Sequence, residues 1–572
     1  MRSSSSRAWR LAALGALAAA SIALFAVSRG KWSDAIIDTG SEWGYPDALA
    51  RGELLYRDVV YWFGPFTPYF HALFFRLFGS SFGTLVLAGI VGSLGILASF
   101  FLALRRVTGR RAAWIWTGIA IPALVFMPNS GGSILGMGYR IWHPAGFALL
   151  SVALSFRLAS RGRMLALAGA GVCAALAGLS RLEWGLAAVA AVLVGLGVLR
   201  TRLRDFLPEA AVFIGASAIL FVAVIGSFGA AAGWDALLKE SPVLLRSIPV
   251  ETRAASVVAG TRGWRAGLLS MLYSALLWIG LFLLVRLLAL RRADPGGTPS
   301  RVWTLLAVLF GIALLAALGG ASGFVVFSAA PLICAGAVLA GLVRPRRPRS
   351  AALVSLGLLG LLLSHRRLFH IGDFGYVAPP LLFALASAAG LLAGSIARLR
   401  RGEPRVRLQE AALAALAGVA AIAFLIRGLQ YASDDRVPVP GTAGLVSAPA
   451  AVARELTEVA GAVRRSTGRG DGCVVFPEGM IVNYLSGRPN PIRHKLFLPG
   501  YVTRGNEPGI VEELERTRPA AVVVLNRPAG EYGRGFFGTD YGLRIYGWIV
   551  SHCRPAPSGS RHAKLFLCRS LV

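Results

Sequence analysis

Acidic residues are scarce in this chain of 572 residues: 28 Asp and Glu stand against 59 Lys and Arg, a formal charge of +31. Charge of either sign is thin as well, at 15% of residues, where soluble domains carry about 25%. Apolar residues fill the gap at 55%, with a mean hydropathy of +0.63. Held in long runs, that composition excludes a soluble enzyme of ordinary make-up, and it excludes disorder, which needs low hydrophobicity. Five cysteines are too few for a disulfide scaffold. No G-x-G-x-x-G follows a strand pattern, so no nucleotide cofactor is expected. Heptads and repeats of roughly 20–50 residues are missing, and no inverted repeat of the transporter kind is visible.

What the chain has in abundance is apolar length. A bilayer crossing needs about 20 mostly apolar residues. About thirteen runs qualify, near 9–28, 84–104, 112–128, 144–158, 164–180, 184–199, 207–229, 266–290, 302–319, 324–343, 351–364, 378–397 and 409–429. The first has an Arg-rich start but no small-x-small cleavage site after it, so it reads as an uncleaved anchor. Alternate connections (2–10, 105–111, 157–163, 200–206, 291–301, 344–349 and 397–407) are all basic. By the Lys/Arg asymmetry rule these face the cytoplasm, the N-terminus with them, and an odd number of spans puts the C-terminus outside. The positive charge is then the sum of cytoplasmic loops in an Arg-rich chain, and no nucleic-acid partner is needed. The expected fold is an α-helical polytopic membrane protein over 1–429, embedded in the cytoplasmic (inner) membrane of a bacterium. A linker at 430–447 leads to a small soluble extracytoplasmic α/β domain at 448–572.

The polar chemistry lies on the expected outer side. The first outer loop, 29–83, carries Asp34, Asp38, Glu42, Asp47, Glu53 and Asp58. Asp38 and Glu42 are four apart and share a face if helical, a spacing suited to a general base with a metal or hydrogen-bond partner. An aromatic stretch follows (Tyr61, Trp62, Phe63, Phe66, Tyr69, Phe70), broken by Gly64-Pro65 and Pro68. Such a stretch suits a helix at the headgroup level. Carboxylates held there fit a substrate that is half lipid and half polar.

The run Asp38-Thr-Gly-Ser-Glu42, then Gly52-Glu-Leu-Leu-Tyr56-Arg57-Asp58, Gly64-Pro65-Phe-Thr-Pro-Tyr69 and Leu77-Phe78-Gly79 resembles the first outer loop of bacterial GT-C glycosyltransferases. That superfamily includes the protein O-mannosyltransferases and the lipid A aminoarabinose transferases. The resemblance covers about residues 30–110. It implies a membrane-bound sugar transfer from a polyprenyl-phosphate donor to a lipid, glycan or protein acceptor, with Asp38 in the position of the general base. One departure stands out: those families typically have adjacent Asp-Glu, whereas here Thr39 follows Asp38 and the acid comes at Glu42.

A polyprenyl phosphate is already a good leaving group. What remains is proton removal by a carboxylate and stabilisation of the departing phosphate, a task that suits the planar fork of Arg. Candidates on the outer side are Arg57 beside Asp58, Arg140 with His143 in GMGYRIWHP, and Arg181 with Glu183 in SRLEWG. Further candidates are the arginines at 246, 253, 262 and 265, and the cluster His365, Arg366, Arg367, His370 and Asp373 in SHRRLFHIGDFGY. Polar residues at membrane depth are costly, which favours a role for that cluster. The spacing of His365 and His370 is not a recognised metal pair, so the metal is unknown and a divalent cation is left open as a cofactor.

In the tail, a helix is predicted near 448–466, strands at 473–477, 520–525 and 563–569, and helices at 507–518 and 541–552, an α/β alternation. Arg488, Asn490, Arg493 and His494 in YLSGRPNPIRHKLFLPG are candidates for binding acceptor or sugar. Cys553 and Cys568 are candidates for a disulfide in an oxidising periplasm. Two other readings fit the composition: a transporter or flippase of a lipid-linked substrate, and a non-enzymatic envelope scaffold. A transporter would carry charged or broken helices near the midplane, whereas the charges here crowd the span ends.

Overall fold

The computed structural model describes residues 2–128, 131–135, 139–157, 162–200, 202–240, parts of 268–280, 328–364, 380–397 and 403–568. Through residue 432 nearly all regular structure is helical. The helices are α1 (Arg2–Ser28), α2 (Thr39–Ala50), α3 (Phe66–Phe78), α4 (Phe82–Val107), α5 (Arg110–Ala120), α6 (Tyr139–Ser155), α7 (Arg163–Ser180), α8 (Leu182–Leu199), α9 (Leu203–Ala232) and α10 (Trp234–Glu240). After the undescribed stretch come α11 (Ala330–Leu342), α12 (Pro348–Leu363), α13 (Leu381–Ala397) and α14 (Glu403–Ala432).

Among the described residues, α4, α7, α8, α9 and the Ala412–Ala432 part of α14 are long and apolar enough to cross a bilayer. The apolar helices Leu14–Ser28, α11, α12 and α13 are shorter. Of the expected spans, 302–319 lies outside the described residues, 266–290 is described only in part, and 144–158, 324–343 and 378–397 are described except at one end. The expected span at 112–128 is broken. Its α-helix ends at Ala120 and gives way to one π turn over Ile121–Val125. Pro122 has no N–H to continue an α ladder.

Small residues let these helices approach closely. Ala103, Ala145, Ala148, Ala170, Ala174, Ala188 and Ala191 are buried between the larger Phe100, Trp116, Trp142, Phe156, Phe213 and Phe383. The outside is apolar too: Leu165, Ile219 and Val222 stand 79%, 73% and 68% exposed. An exposed apolar belt of this kind is what lipid tails would cover.

The basic connections collect at one end of the bundle. Arg106 donates to the Ala153 carbonyl, Arg163 and Arg200 both pair with Glu209, and Arg349 donates to the Gly390 carbonyl. The first loop and the tail collect at the other end. The stretch expected to be a linker is ordered against that loop. Arg436 donates to the Lys31 and Ser33 carbonyls, and β1 (Val437–Pro438) pairs with β2 (Ser447–Ala448).

The tail is an α/β layer. Strands β3 (Cys473–Phe476), β4 (Ala521–Leu525), β5 (Arg554–Ala556) and β6 (Ala563–Leu567) form one sheet in the order β3-β4-β6-β5. The pair β3–β4 is parallel and the other two pairs are antiparallel. Val475, Val523 and Leu565 on one face share a core with α15 (Ala450–Ser466) and with Trp32, Trp43 and Phe82 of the membrane part. Val474, Val522 and Phe566 on the other face pack on α17 (Glu507–Thr517) and α18 (Leu543–His552), while α16 (Ile481–Ser486) follows β3. Cys553 and Cys568 are bonded, and Cys473 is free and buried.

Candidate active site

The first loop is built around α2, which is buried from Thr39 to Leu49. Asp38 caps it and Glu42 lies one turn on, with the Glu42 N–H donating to the Asp38 carbonyl at 2.8 Å. An N-cap Asp ordinarily accepts a backbone N–H of the first turn with its own carboxylate. Asp38 makes no such cap bond, and its φ of +63° is a conformation that non-glycine residues avoid. Two outside contacts bear on it. Its N–H donates to Oε1 of Glu478 at 3.0 Å, and Nη2 of Arg140 reaches its Oδ1 at 3.4 Å.

Arg140, on the first turn of α6, also donates from Nε to Oε1 of Glu42 at 2.8 Å. The two carboxylates that shared a face in the sequence therefore share one guanidinium. All three side chains are buried. The Glu42 carboxyl is pushed up to about 7, chiefly by burial; Arg140 opposes the rise and Asp38 adds to it.

Phe63 brings in a second arginine. The guanidinium carbons of Arg140 and Arg181 each lie 4.9 Å from its ring centroid, within cation–π range. The Arg181 turn is fixed to the first loop by the Gly64 N–H, which donates to the Ser180 carbonyl at 3.1 Å. A side chain at Gly64 would run into the Leu179 carbonyl, so this approach requires glycine. Arg181 also pairs with the half-exposed Glu183 at 2.8 Å.

The remaining candidates lie elsewhere. Arg57 pairs with Asp58 at 2.8 Å within one exposed turn. His143 bonds Thr67 through Nδ1 at 3.1 Å and sits in an aromatic cluster with Phe66, Phe70 and His71. Asp47 pairs with Arg51, and Glu53 with Arg51 and Lys495. In the tail, Arg488 donates to the Thr467 hydroxyl and to backbone carbonyls of Thr467, Ser486 and Arg464. Asn490 closes a turn with Ile492 and His494, and His494 bonds Glu513. Arg493 clasps the carbonyls of Tyr56 and Arg57. Those four side chains hold the tail together or hold it to the first loop. His365, Arg366, Arg367, His370 and Asp373 fall outside the described residues, as do the arginines at 246, 253, 262 and 265. Among the described residues no group of three or more His, Cys, Asp and Glu is arranged to hold a metal ion.

Two residues of the centre were missed by the sequence reading. Glu478 is 2% exposed and pairs with Arg527 at 2.9 Å. Burial, and then Asp38, hold its carboxyl above the usual range. Tyr501 stacks on Trp62 of the first loop, with centroids 3.8 Å apart and planes 4° from parallel. Both lie more than 400 residues from Asp38 in the chain, and neither belongs to a recognised motif. The dense Glu-Gly-Met and Pro-Gly-Tyr turns were the available signal.

No protein-family model matches the sequence, and neither does any curated protein sequence. Solved structures do match. ArnT from Cupriavidus metallidurans in its apo state aligns over 99% of both chains at a TM-score of 0.52 and 12% identity. The same protein bound to undecaprenyl phosphate aligns over 98% of both at 0.53 and 12%. The archaeal oligosaccharyltransferase AglB from Archaeoglobus fulgidus, in complex with an inhibitory peptide and a dolichol-phosphate, aligns over 97% of this chain and 74% of its own at 0.50 and 15%. These similarities establish the GT-C fold over nearly the whole chain.

Proposed function

We propose that this protein is an integral membrane glycosyltransferase that moves a sugar from a polyprenyl-phosphate donor to a lipid, glycan or protein acceptor. The reaction is placed on the outer face of the cytoplasmic membrane, with the N-terminus inside and the tail outside, on the strength of the basic loops at the opposite end. The observation that carries the reading is Asp38. It is a buried carboxylate, not used as a cap, held beside Arg140 at the mouth of a helical bundle and beneath a tail domain. The fold agrees, since the structures sharing it hold undecaprenyl phosphate and dolichol-phosphate.

The chemistry follows from these positions. The Asp38 carboxylate takes the proton of an acceptor hydroxyl as its oxygen attacks the anomeric carbon of the donor sugar. The bond from that carbon to the phosphate oxygen breaks, and its electron pair leaves with the polyprenyl phosphate. Arg140 and Arg181 are assigned to the developing phosphate charge, where a planar fork is worth more than a point charge. Glu42 fixes the Arg140 guanidinium, and Glu478 fixes the Asp38 backbone. The test is sugar transfer from polyprenyl-phosphate donors in membrane vesicles carrying Asp38→Asn. Loss of transfer by about a hundredfold or more is expected for removal of a general base. Near-normal transfer by a folded variant would overturn the mechanism.

A further inference from the structure

We propose that Tyr501, carried by the tail, is a substrate-contacting residue whose hydroxyl donates a hydrogen bond to a phosphate oxygen of the lipid carrier. This rests on the reading of the site given above. Tyr501 sits on a tight turn secured from both sides. Its N–H donates to the Leu498 carbonyl at 2.9 Å, and its own carbonyl accepts from Nδ2 of Asn506 at 2.8 Å. The ring is fixed by the stack on Trp62. Trp62 immediately precedes Phe63, whose ring holds Arg140 and Arg181.

The phenol therefore lies in the field of every charged group assigned to the reaction. Burial holds it above its usual pKa; Asp38 and Glu478 reinforce that effect and Arg140 and Arg181 oppose it. It stays protonated at neutral pH and can act as a donor. Among the described residues its donor is unspent, unlike those of three buried tyrosines. Tyr56 gives its hydroxyl to the Phe63 carbonyl, Tyr139 to that of Leu85, and Tyr431 to that of Phe126. The Tyr501 hydroxyl bonds no described residue, and the side chain is only half-buried. A half-open donor on a ring stacked on Trp62, next in the chain to the Phe63 ring that holds both guanidiniums, suits an anionic oxygen, and a phosphate supplies one. The stack joins the first loop to the tail, so the phosphate site is complete only when the tail is docked.

The test uses the full-length purified protein in lipid nanodiscs, with undecaprenyl phosphate and undecaprenol as probes. Tyr501→Phe keeps the ring and its stack and removes only the hydroxyl. Loss of a hydrogen bond to a charged group predicts about tenfold to hundredfold weaker binding of undecaprenyl phosphate, with unfolding temperature and undecaprenol binding unchanged. Equal binding of undecaprenyl phosphate by the variant and the wild type overturns the proposal. Equal weakening for undecaprenol also overturns it, because the hydroxyl would then touch something other than phosphate. Failure in either form leaves the Asp38→Asn result standing. Failure of the wild-type protein to bind undecaprenyl phosphate at all overturns the functional reading itself.

Discussion

Gly40 offers a sharp test of how the first loop is held. It lies two residues after Asp38, on the face of α2 that packs against the tail. A Cβ at this position would fall on the Ile481 backbone nitrogen and 2.6 Å from the Met480 carbonyl carbon. Those are backbone atoms, and no rotamer change relieves the clash. Ordinary contact would require α2 and the tail turn to separate by about 1 Å, where overpacking typically costs about 1–3 kcal/mol. The strain falls on the site directly, because Glu478, two residues before Met480, holds the Asp38 N–H. A displacement of about 1 Å at reacting groups can cost about a hundredfold in rate. Gly44, one turn on, is the control. A Cβ there meets the Sδ of Met480 at 2.9 Å and its Cε, the free end of a flexible side chain. That side chain can move, and Ala in place of Gly returns up to about 1 kcal/mol of helix propensity. Gly40→Ala should therefore lower both the thermal unfolding temperature and the transfer rate in vesicles, the rate by about a hundredfold, while Gly44→Ala stays within about threefold of wild type. Wild-type behaviour of Gly40→Ala, or equal damage from both substitutions, would refute the docking argument.

Two further outcomes follow from the buried charges. Burial pushes the Glu42 carboxyl up to about 7 against an ordinary value of about 4.5, so its contribution is present below about pH 4.5 and is lost as pH rises through 7; this one group should lower stability by about 3 kcal/mol across that window, and the fall in unfolding temperature from pH 5 to 8.5 should be shallower by about that amount in Glu42→Gln, with the buried Glu478 adding its own fall in both proteins. Arg140→Met leaves the Asp38 and Glu42 carboxylates buried without their shared cation and should cost about 3–5 kcal/mol; adding Glu42→Gln to it should recover part of that loss in a thermal melt, and strict additivity would contradict the shared ion pair.

Much of this architecture was readable in the chain because the relevant signals are local. The apolar runs, the basic loops between them and the Asp38–Glu42 spacing all depend on residues within a turn or a span of one another. In the tail, amphipathic spacing near 448–466 marks the helix found at 450–466, and the short apolar runs at 473–477, 520–525 and 563–569 mark the strands found at 473–476, 521–525 and 563–567. Strand β5 was missed because Arg554-Pro555-Ala556 carries no apolar alternation and its Pro suits only an edge. The site was legible only in part. Arg57, Arg140 and Arg181 look alike in sequence as arginines outside the basic loops, and only folding shows that Arg57 is spent on its neighbour while the other two flank Phe63. Glu478 and Tyr501 reach the site by tertiary contact across more than 400 residues, which no spacing rule records.

The large net charge and the site obey different physics. At the basic end, Arg106, Arg163, Arg200 and Arg349 bind loop to loop and helix to helix, and the surplus among them faces outward, where it can meet anionic headgroups at long range. At the opposite end, among the described residues, three buried or nearly buried guanidiniums (Arg140, Arg181, Arg527) stand against three buried carboxylates (Asp38, Glu42, Glu478). That centre is close to balanced, as burial demands, since an uncompensated charge there is expensive. On the function proposed above, an incoming phosphate would meet no large excess of positive charge on these residues and would have to displace a carboxylate from its arginine. Glu42 and Glu478 are the groups able to yield, because burial already favours their protonated forms. Asp38, tied by its backbone to one and sharing Arg140 with the other, sits where that exchange would expose a guanidinium to phosphate.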